Sequence, residues 1–216
     1  MKKKKGVLIA ALVAVIILCE VVLPRIIKPG KIPGFAEAVT DVSGIRIPEG
    51  TRIVGLGEAS HGNKEFQELK LEVFQHLVET TNVRAFLLEG DMGGCAIINE
   101  YLQGGEGDPK ELVQYLGYSI YRTEQMANLI KWMREYNDGA LEHDKVRLYG
   151  MDVQYDTRCI RLLKEGYRQI SQEKYEEYSA KLDAWFGTKE DQYDAKEVDE
   201  ILAFLAEMKT DIAANR

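Results

Sequence analysis

The 216-residue chain has few cysteines and no cysteine cluster. Its three cysteines are Cys19, Cys95 and Cys159, and none lies in a Cys-x-x-Cys pair or beside a histidine. Structural zinc sites need such groups of thiolate and imidazole ligands, so the sequence gives no sign of one. We predict that Cys95 and Cys159 are small buried side chains. The sequence leaves open whether a disulfide joins them.

Excess positive charge is also absent. The net charge is -7 and the isoelectric point is near 5.2, so the chain lacks the basic surface that binds nucleic acid. Hydrophobic residues make up 45% and charged residues 29% of the chain, which is typical of a globular protein rather than a disordered one. We therefore expect a folded domain whose partner is not a nucleic acid.

One long apolar run lies near the amino terminus, from Gly6 to Leu23, and Lys2 to Lys5 precede it. Eighteen helical residues extend about 27 Å, close to the thickness of a bilayer core. No small-residue cleavage site follows the run, which favours an uncleaved anchor over a cleaved signal peptide. Because positive charge stays on the cytoplasmic side, the sequence predicts a single-pass protein of the cell membrane with its domain on the extracytoplasmic side.

Prolines and glycines follow this predicted anchor of residues 1–24 and indicate a linker over residues 25–48. The remaining residues, 49–216, are predicted to form one α/β domain with a helical segment at 156–216. A parallel sheet normally has more than three strands and helices on both faces. The sequence contains only three candidate strands, so we expect the domain to be incomplete.

The three candidate strands share one feature, an acidic residue just after the apolar run. The runs are Arg52–Leu56, Arg84–Leu88 and Val146–Tyr149. The acids are Glu58, Glu89 and Asp152, each next to a glycine or in a glycine-containing turn. Repeated strand, turn and helix units indicate a parallel sheet with crossover helices, whose strands end at one edge. We therefore predict a site at that edge, where ligands bind in open α/β sheets.

A strongly periodic helix is predicted after the first run, starting near Ser60 or Asn63 and ending near Glu79. Its apolar stripe contains one exception, Lys70. An unpaired ammonium among apolar side chains is costly, so Lys70 either extends to the solvent or meets a carboxylate. We predict that its ammonium lies within about 4 Å of Glu58 or Glu89.

These motifs resemble the erythromycin esterase family. The resemblance rests on Gly57-Glu58-Ala59-Ser60-His61-Gly62 with the following Glu65-Phe66, on the Leu-Leu-Glu-Gly run at 87–90, and on Tyr-Gly-Met-Asp at 149–152. It implies that the chain is the amino-terminal half of that catalytic domain and hydrolyses a small-molecule ester or lactone, with macrolide resistance as the related activity.

The resemblance also implies roles for single residues. The signature histidine, here His61, is the general base that activates water, and Glu58 and Glu89 assist it. An arginine of the following helix belongs to the family's site, and Lys70 stands at that position here. Lysine keeps the charge but lacks the planar fork of arginine. No cofactor is implied.

The residues themselves support this chemistry and leave alternatives. An imidazole, with an unperturbed pKa of about 6.5, accepts a proton near neutral pH, and flanking carboxylates fix its tautomer. Ser60 is not in a nucleophile-elbow motif and is interpreted as a helix cap. Glu58, His61, Glu89 and Asp152 also suit a metal, and related folds include haem- or iron-binding envelope proteins. An inactive, truncated homologue is the remaining alternative.

Overall fold

A computed structural model describes residues 40–186 and 193–215. The chain divides into two units, residues 1–46 and 47–216. In the first unit, a short 3-10 turn spans Val42–Gly44, and the Asp41 side chain caps it by accepting a hydrogen bond from the Gly44 amide at 3.0 Å. No helix within the two described ranges is long and apolar enough to cross a membrane. The predicted anchor, Gly6–Leu23, lies outside them.

The second unit has α/β architecture, as predicted, but the sheet formed by its described residues has two strands. The strands are β1 (Ala85–Asp91) and β2 (Arg147–Asp152), and they pair in parallel. The helices are α1 (Lys64–Thr80), α2 (Met92–Leu102), α3 (Pro109–Leu112), α4 (Glu124–Gly139), α5 (Asp156–Ile170), α6 (Gln172–Phe186) and α7 (Ala195–Ala214). Short 3-10 turns span Val113–Leu116, Ser119–Tyr121 and Glu142–Asp144.

The prediction of a strand at Arg52–Leu56 is wrong. A strand exists where backbone N–H and C=O groups pair with a neighbour, and within the described part of the chain these residues pair with none. Their apolar side chains are exposed, and Ile53 retains 88% of its accessible surface. Glu58 therefore lies in an irregular segment before α1 rather than at the end of a strand.

The other two strands are confirmed, and both extend further than predicted. Glu89 lies inside β1, and Asp152 is the last residue of β2. The register is regular from Ala85 opposite Arg147 to Leu88 opposite Gly150, and becomes irregular before Asp91 meets Asp152. Such a bulge bends a strand and redirects its side chains, and Glu89 lies within it.

The edge of β2 that faces away from β1 is closed by asparagine side chains. Asn99 of α2 donates to the Leu148 carbonyl and accepts from the Leu148 amide at 2.9 Å. Asn137 of α4 makes the same pair of bonds with Val146, at 2.9 and 2.7 Å. Val146 and Leu148 are two residues apart, so their amides point to the same edge. Helix side chains therefore satisfy the backbone groups that another strand would use.

The inner face of the sheet packs against α1, α2 and α4. The largest fully enclosed residues there include Ile98, Leu116, Ile130, Met133 and Leu148. A second core joins α5, α6 and α7 around Ile160, Tyr167, Tyr178, Leu182, Phe204 and Met208. Within the described ranges the chain after residue 156 forms these three helices, and Asp194 and Glu197 form a capping box at the start of α7. The opening predicted for that helix at Thr188 lies outside the described ranges.

The two cysteines of the domain are free. Cys95 is buried and Cys159 is half-buried. Burial, with the nearby charge of Asp91, raises the pKa of the Cys95 thiol to about 12. The thiol is therefore a small neutral side chain of the core, as the sequence predicted for it.

Candidate active site

The segment before α1 forms a contact between a carboxylate and an imidazole. Glu58 and His61 are three residues apart, and the His61 Nδ1 atom lies 2.6 Å from the Glu58 Oε1 atom. An ionised carboxylate only accepts hydrogen bonds, so the shared proton belongs to Nδ1. The Nε2 atom of neutral His61 is then an acceptor, and the His61 side chain is 56% exposed.

The second oxygen of Glu58 accepts a hydrogen bond from the Lys70 ammonium. This is the contact predicted from the position of Lys70 in the apolar stripe of α1. The Lys70 side chain is only 10% exposed and that of Glu58 15%, so the pair is largely removed from water. Ion pairs of this kind are less screened by salt than exposed ones.

The electrostatics of Glu58 follow from these two contacts. Burial opposes ionisation, but the hydrogen bonds from Lys70 and His61 outweigh it and hold the pKa of Glu58 below its usual range. Glu58 is therefore a carboxylate at neutral pH. It links a buried cation to an exposed imidazole.

A narrow cleft lies beside this pair. Its volume is about 10 Å³, and its lining comprises Leu56, Gly57, Glu58, Phe66, Leu69 and Lys70. That volume is roughly what one water molecule needs. A larger cavity of about 160 Å³ lies between α5 and α6, and no predicted site residue lines it.

Glu89 and Asp152 make no hydrogen bond or ion pair with Glu58 in the described chain, and what the three acids share is an electrostatic effect on one tyrosine. The charges of all three act on the phenol of Tyr121, whose side chain is 2% exposed. Glu89 makes no ion pair with His61 or Lys70 anywhere in the described chain. Asp152 accepts a long hydrogen bond of 3.5 Å from Gln154. Sequence reasoning missed Tyr121, because a single tyrosine in a loop carries no pattern.

Ser60 is not the cap of α1. The amino-terminal cap residue of that helix is Asn63, and the Ser60 hydroxyl instead accepts a hydrogen bond of 3.3 Å from the Gly62 amide. The described residues contain no group of three or more histidine, cysteine, aspartate or glutamate side chains arranged to hold a metal ion. The metal alternative thus gains no support from the arrangement of these residues.

Sequence reasoning also missed the buried acid Asp91, which is completely enclosed at the end of β1. Its two oxygens accept hydrogen bonds from the amides of Gly94, Gln154 and Tyr155, at 2.7, 3.2 and 3.1 Å, and from the Arg158 guanidinium at 3.0 Å. Arg158 also stacks on the rings of Tyr155 and Tyr115. This pair ties the end of β1 to the start of α5.

Comparison with known proteins agrees with the resemblance. The erythromycin esterase family model matches residues 78–216. The match includes Glu89 and Asp152 and begins after Glu58, His61 and Lys70.

Two curated proteins are similar over about half of this chain. Erythromycin esterase type II of Escherichia coli is 33% identical over 103 residues, which are 48% of this chain and 24% of that protein. The putative hydrolase YbfO of Bacillus subtilis (strain 168) is 27% identical over 109 residues, 50% of this chain and 23% of that protein. The matched region is thus about a quarter of each relative's length.

Two solved structures are also similar. A Bacillus cereus protein aligns with a TM-score of 0.48 and 28% identity over 55% of this chain and 28% of its own. A succinoglycan biosynthesis protein aligns with a TM-score of 0.48 and 28% identity over 58% of this chain and 33% of its own. The family model matches well over half of the residues of this chain. The chain therefore belongs to the erythromycin esterase family.

Proposed function

We propose that this protein hydrolyses a carboxylic ester or lactone by activating water with His61. The observation that carries the proposal is the contact between Glu58 and His61, with Lys70 on the other carboxylate oxygen. The names of the relatives, an esterase and a putative hydrolase, support the same reaction class.

Each residue has a role in this reaction. Glu58 holds the proton on Nδ1 of His61, so Nε2 accepts the proton of the attacking water. A bond forms between the water oxygen and the acyl carbon, and the carbonyl oxygen becomes an oxyanion. When the bond from the acyl carbon to the alkoxy oxygen breaks, the imidazolium returns its proton to that oxygen. The products are an acid and an alcohol.

The charged residues around His61 support it in different ways. Lys70 keeps Glu58 ionised, and an ionised Glu58 stabilises the imidazolium as it forms. Glu89 and Asp152 contribute further negative charge at the ends of the strands. This charge also stabilises the imidazolium of His61. Their roles as a second assisting acid and a supporting acid are part of the proposal.

Removal of the proposed base tests this function. Hydrolysis of p-nitrophenyl acetate and of a macrolide lactone is measured with the full chain and with His61→Ala. We expect the rate to fall by a factor of about 100 to 10,000, the usual contribution of a general base. His143→Ala is the matched control, since His143 is 76% exposed in the 3-10 turn Glu142–Asp144 and should leave the rate unchanged. Equal rates for His61→Ala and the wild type would refute the proposal.

We further propose that Gly6 to Leu23 anchors the protein in the cell membrane with its domain outside. The support is the sequence alone, an apolar run preceded by four lysines. Protease added to cells stripped of their wall should then digest the domain. Digestion only after lysis would refute this location.

A further inference from the structure

The segment that carries Tyr121 lies directly over the carboxyl end of β1. A methyl group added at Gly90 would come within 2.9 Å of the Leu116 carbonyl oxygen, and one at Gly94 within 1.7 Å of the Tyr115 oxygen. Gly117, between the two 3-10 turns, has a φ of +98°, which other residues rarely adopt. Glycines at three positions therefore allow this loop to lie against the strand end that bears Glu89.

The ring of Tyr121 is packed into the core of the sheet. It is 2% exposed, belongs to the core of the sheet, and meets the Tyr118 ring at 6.4 Å and 66°. The Tyr121 amide donates to the Tyr118 carbonyl at 3.1 Å, and its carbonyl accepts from the Thr123 amide at 2.9 Å. The position of the hydroxyl is thus determined by packing and by the backbone.

The Tyr121 hydroxyl differs from those of the other two deeply buried tyrosines. Tyr167 donates to the Met208 carbonyl at 2.8 Å, and Tyr178 donates to Glu207 and Asp211, each at 2.8 Å. The Tyr121 hydroxyl makes no hydrogen bond to any residue in the described ranges. Its oxygen is nevertheless not fully enclosed, although the residue as a whole is 2% exposed.

The surroundings of this hydroxyl are acidic. Burial, together with the charges of Glu58, Glu89 and Asp152, raises the pKa of Tyr121 to about 12. The phenol therefore keeps its proton at neutral pH and is a hydrogen-bond donor. The three acids come from three separate segments of the chain, and each is a residue that the sequence placed in the site.

We propose that the Tyr121 hydroxyl is a catalytic donor that binds the carbonyl oxygen of the ester and stabilises the oxyanion of the tetrahedral intermediate. The role rests on the ester hydrolysis proposed above. An oxyanion beside three carboxylates is strongly disfavoured unless a donor faces it. The Lys70 ammonium already binds Glu58, whereas the Tyr121 hydroxyl is uncommitted. It keeps its proton throughout, while His61 transfers the proton of water to the leaving oxygen.

Tyr121→Phe removes only this hydroxyl and preserves the ring. We expect kcat for p-nitrophenyl acetate to fall by a factor of about 100 or more, as when one donor to an oxyanion is removed, with little change in KM. Tyr118→Phe is the matched control, because Tyr118 lies next to the same turn and is 43% exposed. The thermal midpoints of both variants should equal that of the wild type. A kcat of Tyr121→Phe equal to that of Tyr118→Phe would overturn the proposal.

Binding of phenyl methylphosphonate separates this proposal from the proposed function. The phosphonate resembles the tetrahedral intermediate in shape and charge. It is not a carboxylic ester and is therefore not a substrate of the proposed reaction. Calorimetric titration should show binding by the wild type and Tyr118→Phe, and a loss of at least about tenfold in affinity for Tyr121→Phe. If the wild type hydrolyses no ester, the proposed function fails, and this selective loss of affinity still supports Tyr121 as the donor. Equal affinity in all three proteins, or no binding by the wild type, overturns it.

Discussion

Two ion pairs of the domain, Asp91 with Arg158 and Glu58 with Lys70, contain a fully or largely buried acid, and they differ in how completely the acid is bonded. Asp91 is fully enclosed, and each of its two oxygens accepts two hydrogen bonds. Glu58 is partly exposed, and each of its oxygens accepts one bond, from His61 or from Lys70. One partner of Glu58, His61, faces the solvent.

This difference distinguishes a carboxylate bonded entirely within the fold from the carboxylate that we propose acts in catalysis. Asp91 has no remaining capacity for a ligand, and all its partners are fixed parts of the fold. Glu58 links a buried ammonium to an exposed ring, so its charge acts on a group that a substrate can reach. Burial of an acid beside a cation therefore does not identify a site by itself, and the proposal for Glu58 rests on its contact with the exposed His61.

Replacing Glu58 or Asp91 by the corresponding amide should separate the two roles. The largest effect is expected for the activity of Glu58→Gln. In Glu58→Gln the amide oxygen still accepts from Lys70, and its NH₂ group donates to Nδ1 of His61. The proton of His61 then moves to Nε2, which no longer accepts a proton from water. We expect hydrolysis to fall by a factor of about 1,000 to 10,000 through this wrong tautomer. The unfolding free energy should fall by only about 1 to 2 kcal/mol, because the Lys70 ammonium loses its counter-charge but keeps a hydrogen-bond acceptor.

Steady-state rates and urea unfolding of the full chain measure these two quantities. Glu65→Gln is the control, since Glu65 is exposed in the first turn of α1. A Glu58→Gln variant that unfolds easily would make Glu58 a structural residue like Asp91.

Asp91→Asn should instead lower the stability of the fold. An amide NH₂ at either oxygen faces two donors, which leaves two buried donors without an acceptor. At about 1 to 3 kcal/mol for each, the unfolding free energy should fall by about 3 kcal/mol or more. Urea unfolding measures the loss, and Asp108→Asn, at the exposed cap of α3, is the control. A stability equal to that of the wild type would show that the four hydrogen bonds of Asp91 are not needed.

The local signals in the sequence predicted several parts of this arrangement. Periodicity predicted α1 and showed Lys70 as the exception in its apolar stripe, and a buried ammonium needs a carboxylate. Apolar runs before glycines predicted both strands of the sheet. These inferences succeeded because they depend on residues that are close in sequence.

Other features of the structure depend on residues that are distant in sequence. Local sequence patterns do not predict them. The run at Arg52–Leu56 has the composition of a strand, but a strand also requires a neighbouring strand with free backbone groups. Asp91 was missed because its partners, Gln154, Tyr155 and Arg158, lie more than sixty residues away. The loop that carries Tyr121 was missed in the same way, because its approach to β1 depends on Gly90 and Gly94, which precede Tyr121 by 27 residues or more.

Gln67 extends the comparison to a polar side chain with no bond at all. It lies one turn before Lys70 on α1, is 2% exposed, and neither its amide nitrogen nor its oxygen has a partner in the described chain. Leucine has a similar volume and no polar atoms, so Gln67→Leu should raise the unfolding free energy by about 1 kcal/mol. Urea unfolding measures the change, with Gln75→Leu, half-buried on the same helix, as the control. Destabilisation by Gln67→Leu would show that the amide is bonded in solution.

The smallest expected effect is the pH dependence that Lys70 confers on Glu58. Burial is outweighed by the hydrogen bonds from Lys70 and His61, so the pKa of folded Glu58 lies below the unfolded value of 4.5. A lowered pKa stabilises the fold above the unfolded value, and this stabilisation is lost as the pH falls through the lowered one. Lys70→Met removes one of these bonds and leaves Glu58 near other acids, which raises the pKa of Glu58. Protonated Glu58 no longer holds His61 in its reactive tautomer.

The activity of Lys70→Met should therefore fall more at about pH 6 than at about pH 8, because protonation of Glu58 begins at a higher pH. Lys70→Arg keeps the charge and should keep the profile of the wild type, since arginine also donates to a carboxylate. Lys64→Met is the control, because Lys64 is 64% exposed and pairs with Glu68 at 3.1 Å. The measurement is kcat/KM across this range. If Lys70→Met and the wild type have the same ratio of activities at the two pH values, Lys70 does not control the ionisation of Glu58, and its ion pair has only the structural role that Arg158 has beside Asp91.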